Sequence, residues 1–86
     1  MHEMSIAAEV CRIAEERAGR DRLARVVVVG LEIGDDAGVE IGSLEFWLEV
    51  MLTNPPFGQA KPVITRTRGD TLRVSYLEVE DGSPKD

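Results

Sequence analysis

The stretch Arg25-Val26-Val27-Val28-Val29-Gly30-Leu31-Glu32-Ile33 constrains this chain more than any other. β-Branched side chains this dense favour a pleated strand, where their stiff χ1 angles pack well, over a helix, where they crowd the preceding turn. The odd positions Val27, Val29, Leu31 and Ile33 are apolar throughout and are expected to face helices. The even positions carry Val26 and Val28, then Gly30 and Glu32, so that face is expected to be at most partly covered. Gly30 predicts a bulge or the close approach of another part of the chain.

Around this strand the periodicity changes. Residues 3–18 read as a helix, with Ile6, Val10 and Ile13 on one stripe and Ala7, Ala14 and Ala18 beside it. Glu9, Arg12, Glu15 and Glu16 point away from the stripe, Glu3 sits in the first turn, and Gly19 is a natural stop. After the turn residues Gly34-Asp35-Asp36-Ala37-Gly38, residues 41–53 form a second helix. Leu44, Trp47, Leu48 and Met51 share a face there, which Phe46 and Val50 widen. Asn54-Pro55-Pro56-Phe57-Gly58 ends that helix, since proline cannot continue the hydrogen-bond ladder. Residues 60–67 and 71–80 are two further strands, and Arg68-Gly69-Asp70 between them predicts a short hairpin. In the last strand Leu72, Val74 and Tyr76 share one face and Leu77 and Val79 the other, which predicts a bulge near Tyr76.

The expected fold class is α+β, two helices packed on one face of a three-stranded sheet in the order α-β-α-β-β. With 86 residues there is room for one domain, here 1–80, and a polar, flexible tail over 81–86. The net charge of -6 disfavours nucleic acid and anionic membrane as partners. No apolar run approaches the about 18 residues of a membrane span, and the single cysteine rules out an internal disulfide. A cytoplasmic location is expected. There is no Ser/His/Asp arrangement, phosphate-binding loop or dinucleotide fingerprint, and no enzymatic activity is expected.

Met1-His2-Glu3-Met4-Ser5 followed by an amphipathic helix resembles the HypA/HybF family of hydrogenase nickel-insertion proteins. Leu31-Glu32-Ile33-Gly34, Gly38-Val39-Glu40 and Ser43-Leu44-Glu45-Phe46 resemble the same family in the same order, as does the ending Leu72-Arg73-Val74 through Leu77-Glu78-Val79-Glu80-Asp81. The resemblance implies a nickel metallochaperone for nickel–iron hydrogenase maturation, with Met1, His2 and Glu3 as Ni(II) ligands. It implies a HypB-type GTPase and the hydrogenase large subunit as partners. The family also carries a zinc module with two Cys-x-x-Cys pairs between its last two strands. Here Thr67 runs through Arg68-Gly69-Asp70 directly into Thr71, and the chain offers one cysteine and one histidine in all. A structural zinc site needs four N or S ligands, so no zinc is expected. That departure keeps a second function class open, a HypA-like interaction protein that binds a hydrogenase or maturation factor without delivering metal.

The chemistry of the amino terminus is coherent with the metal reading. A free α-amine, the amide nitrogen of residue 2 and the imidazole of His2 close a five- and then a six-membered chelate ring. The amine and imidazole ordinarily titrate near about 7.7–8.0 and about 6.5, so both become ligands near neutral pH. A deprotonated amide suits square-planar Ni(II) or Cu(II) and does not choose between them. Methionine removal generally needs a small second residue, so Met1 is expected to remain before His2. Without the family resemblance, a Met-His start reads as an ordinary solvated terminus. Cys11 reads as a packed small hydrophobe, and Trp47, Phe46 and Met51 read as core. Asp35 and Asp36 read as turn residues, and Arg66, Arg68 and Arg73 as a solvated edge. The half-covered face around Val26 and Val28 leaves a homodimer open, as does a strand swap beside the missing module.

Overall fold

The computed structural model describes residues 2–80. Helix α1 spans Glu3–Ala18, a 3-10 turn spans Arg20–Arg25, and strand β1 spans Val26–Gly34. Helix α2 follows at Ile41–Leu52, then strands β2 at Lys61–Thr67 and β3 at Leu72–Val79. Met1 and the expected tail 81–86 lie outside the described residues.

The sheet order is β2-β1-β3. β1 pairs in parallel with β2 and antiparallel with β3, and α2 is the crossover that parallel pairing requires. Both helices lie on one face. Ala7, Val10 and Ala14 of α1 and Leu44, Leu48 and Leu52 of α2 pack with Val26, Val29, Leu31 and Ile33 of β1 into one core. Arg17 of α1 also donates from Nη1 to the Val74 carbonyl at 2.9 Å, tying the helix to edge strand β3.

Four local readings change. Arg68-Gly69-Asp70 does not close a hairpin, because β2 and β3 lie on opposite sides of β1. The segment instead saddles the end of β1. Gly34 N donates to Thr71 O at 2.7 Å, Asp35 N to Thr67 O at 2.9 Å and Asp36 N to Gly69 O at 2.7 Å. The valine-rich strand takes the centre, where both neighbours bury it. The strands carrying Pro62 and most of the sheet's charges take the edges, where a missing donor and solvated side chains are tolerated. Gly34 is demanded here, since a Cβ would lie 2.1 Å from Gly69 O.

The phase of β1 also shifts at its start. A bulge between Val26 and Val28 turns Val26 into the core and leaves Val27 half-buried. The core line is therefore Val26, Val29, Leu31 and Ile33. On α1 the buried line is Ala7, Val10 and Ala14, with Ile6 and Ile13 on its flank, because small residues let the helix approach the sheet. On α2 the buried line is Leu44, Leu48 and Leu52, while Phe46 is 57% exposed and Val50 40%. Phe46 is thus not core. It stands edge-on to the half-buried Trp47, with ring centroids 5.2 Å apart at 76°.

The expected bulge near Tyr76 is present, between the Gly30–Tyr76 and Leu31–Val74 pairs. The expected close approach at Gly30 is a side chain. A Cβ on Gly30 would lie 2.1 Å from Cε1 of Tyr76, whose ring covers the strand there.

Candidate metal centre

His2 is the N-cap of α1, with φ -93° and ψ 111°. Its carbonyl accepts from Ser5 N at 3.1 Å and Ile6 N at 3.2 Å, which starts the helix, while its side chain makes no capping hydrogen bond. The residue is exposed. It lines an apolar groove of about 460 Å³ between α1 and β3, together with Ile6, Val10, Leu31 and Val74.

Glu3 is half-buried and its carboxylate is engaged. Glu40 N donates to Glu3 Oε2 at 2.9 Å, joining the start of α1 to the start of α2. That N–H holds the Glu3 carboxyl below its ordinary pKa, with smaller help from its own backbone and from positive charge at the terminus. Glu40 caps α2 in turn, its Oε1 accepting from Ser43 N at 2.7 Å. No periodicity reveals the Glu3–Glu40 contact, because it joins residues 37 apart in the chain. The local signal available was Glu40 placed just before a helix with Ser43 three positions on.

The structure therefore brings His2 and Glu3 together at one helix start and gives them different surroundings. His2 is open to solvent, whereas Glu3 already has a partner. The first backbone N–H groups of a helix lack intrahelical acceptors, so the amide nitrogens here are the remaining local donors. Among the described residues no three His, Cys, Asp or Glu side chains converge as a metal cluster. Cys11 is half-buried and burial pushes its thiol pKa up, which makes it a poor ligand or nucleophile. Among the described residues no helix is long and apolar enough to cross a membrane.

This α+β domain carries its one histidine at the head of its first helix. A family model described as hydrogenase/urease nickel incorporation, metallochaperone, matches residues 1–79. The chain belongs to that family, HypA. A hydrogenase maturation factor HypA from Azotobacter chroococcum is 49% identical over 51 residues, covering 59% of this chain and 45% of that protein. Its counterpart from Polaromonas naphthalenivorans is 43% identical over 51 residues, covering 59% and 44%. The one from Geobacter metallireducens is 42% identical over 69 residues, covering 80% of this chain and 60% of the relative. The chain thus spans about half the length of the curated relatives it matches.

Proposed function

We propose that this chain carries Ni(II) on its amino terminus and passes it on during nickel–iron hydrogenase maturation. A HypB-type GTPase and the hydrogenase large subunit are the proposed partners. The observation that supports this is the exposed His2 at the N-cap of α1, its side chain outside the helix's own hydrogen bonding. In the proposed site the Met1 α-amine, the His2 amide nitrogen and the His2 imidazole bind the metal. Glu3 contributes its backbone nitrogen, because its carboxylate is held by Glu40. Each deprotonated amide adds negative charge at a helix terminus whose dipole opposes a bare cation. An open, few-ligand site suits a carrier, which must release what it binds. We also propose that the chain works without zinc, since its single cysteine cannot supply a Cys-x-x-Cys pair.

The test is calorimetric titration of Ni(II) into protein with an unmodified amino terminus, beside His2→Ala and an amino-terminally tagged form. Sub-micromolar binding lost in both altered forms supports the carrier.

A second reading has its own support. The Glu3 carboxylate serves the fold by linking two helix starts, so part of the terminal motif has a structural use. In that reading the chain is a zinc-less interaction protein that binds a hydrogenase or maturation factor without delivering metal. Absence of binding in all three forms removes the carrier and leaves this one.

A further inference from the structure

The first turn of α1 sets the relation between the residue before the cap and the helix after it. His2 is the N-cap, its carbonyl accepting from Ser5 N and Ile6 N. Counting from that cap, Glu3 is the first helical residue, Ile6 is the fourth, and Met1 is the residue just before the cap. An apolar residue in that place often packs on the fourth helical residue, a hydrophobic staple that fixes the angle at which the chain enters the helix. Both members of such a pair are apolar here.

The surroundings of Ile6 fit a staple. Ile6 is half-buried and lines the groove between α1 and β3, with Val10 from the next turn and Leu72 and Val74 from the edge strand. His2 lines the same groove, so the residue before it has one peptide unit to cross. Helical side chains lean toward the amino end of their helix, which carries Ile6 toward the cap. Leu72 is 37% exposed, which leaves part of an apolar wall uncovered. The groove, of about 460 Å³, is ample for one unbranched thioether side chain, a kind that adapts readily to irregular apolar gaps.

We propose that the Met1 side chain packs into this groove against Ile6 and thereby holds the α-amine in place beside the His2 amide. This rests on the amino-terminal nickel site proposed above, and gives the Met1 side chain a positioning role in it. His2 is held at the cap by its carbonyl, so the torsions of Met1 are the freedom left between the helix and the amine. A staple removes that freedom before the metal arrives, and less ordering then opposes binding. The contribution of the side chain is apolar contact, and its sulfur takes no part in a square-planar set of nitrogens.

Two measurements on the full chain with a free α-amine test this. The first is the nuclear Overhauser effect from isotope-labelled methionine methyls, before and after Ni(II) is added, since square-planar Ni(II) is diamagnetic. A contact from the Met1 methyl to the methyls of Ile6 or Leu72 is expected in both forms. Met4, which is 50% exposed, is the control at the same helix start. The second is calorimetric titration of Ni(II) into first-residue variants, with circular dichroism checking that each is folded. Met1→Ser is expected to weaken binding roughly tenfold, and Met1→Leu, which keeps an apolar side chain, to recover most of that loss. Combined with Ile6→Ala, Met1→Ser is expected to add little further loss, because the two side chains act as one contact. Absence of the methyl contact in both forms overturns the proposal whatever the nickel affinity, and leaves the groove to an apolar side chain of a partner. Wild-type affinity in Met1→Ser overturns it too. Equal losses in Met1→Leu and Met1→Ser point to the sulfur as a ligand, with the same consequence. A wild-type chain that shows the contact but binds no Ni(II) removes the carrier reading and the positioning role with it, while the staple remains part of the fold.

Discussion

The end of β1 and the start of α1 solve the same problem in opposite ways. Both are places where backbone N–H groups leave the regular ladders. At Gly34-Asp35-Asp36 three successive N–H groups are taken by carbonyls of the crossing segment Thr67–Thr71. The contact is so close that no side chain fits on Gly34. At the start of α1 one long-range bond, from Glu40 N to the Glu3 carboxylate, ties the helix down, and the histidine beside it is exposed. The difference separates fold from chemistry. The chain engages its backbone donors where the sheet must close and leaves a histidine side chain exposed where the proposed cargo would bind.

The largest expected effect breaks the closed end. Gly34→Val drives a side chain into the Gly69 carbonyl, with backbone on both sides unable to yield. A loss on the order of 3 kcal/mol or more is expected in urea denaturation, or failure to fold. A variant as stable as wild type would mean the saddle is not fixed.

Gly30→Ala sharpens the same point by contrast, because the obstructing group is the Tyr76 ring, a side chain that can swing outward. The expected loss is about 1–2 kcal/mol by the same measurement. A loss equal to that at Gly34 would remove the distinction between backbone and side-chain contact.

The tie at the open end has a pH signature. The folded Glu3 carboxyl sits below its ordinary value, chiefly through the Glu40 N–H. Its contribution is therefore present above the unfolded value of about 4.3 and is lost as pH falls through the folded pKa. Glu3→Ala should lower Tm at neutral pH, and the gap to wild type should narrow through the acidic range. A gap independent of pH would assign the loss to packing instead.

The smallest effect on stability is expected at His2. His2→Ala should shift the unfolding free energy by under about 0.5 kcal/mol, as at other exposed positions free of a fold-holding contact. A larger shift would make His2 part of the fold and weaken its reading as a free ligand.

The helices and strands are legible in the sequence because their periodicities are strong. Val26–Ile33 could be little but a strand, and the proline pair after α2 leaves little choice of boundary. What was hidden depends on partners distant in the chain. A short Gly-containing link between two strands reads as a hairpin until it is known that β1 lies between them. The 3-10 turn at Arg20–Arg25 has no apolar period of its own, Leu23 being its sole buried residue. Phe46 looks like core by spacing, yet the leucines of α2 already fill the line that meets the sheet. Tyr76 and Gly30 each announced an irregularity, and pairing made them one feature. At the candidate site, Met1-His2-Glu3 was visible as a string. The division of labour between the open His2 and the engaged Glu3 was not, because it depends on Glu40.

The most direct test of the account compares Ni(II) binding by the chain with a free α-amine and by the same chain acetylated at that amine. The readout is visible absorption of the Ni(II) complex, which distinguishes a square-planar site with amide nitrogens from an octahedral one. The account predicts a square-planar spectrum for the free amine and its loss on acetylation, with the fold unchanged. An identical spectrum and affinity after acetylation would contradict a nickel site built on the amino terminus.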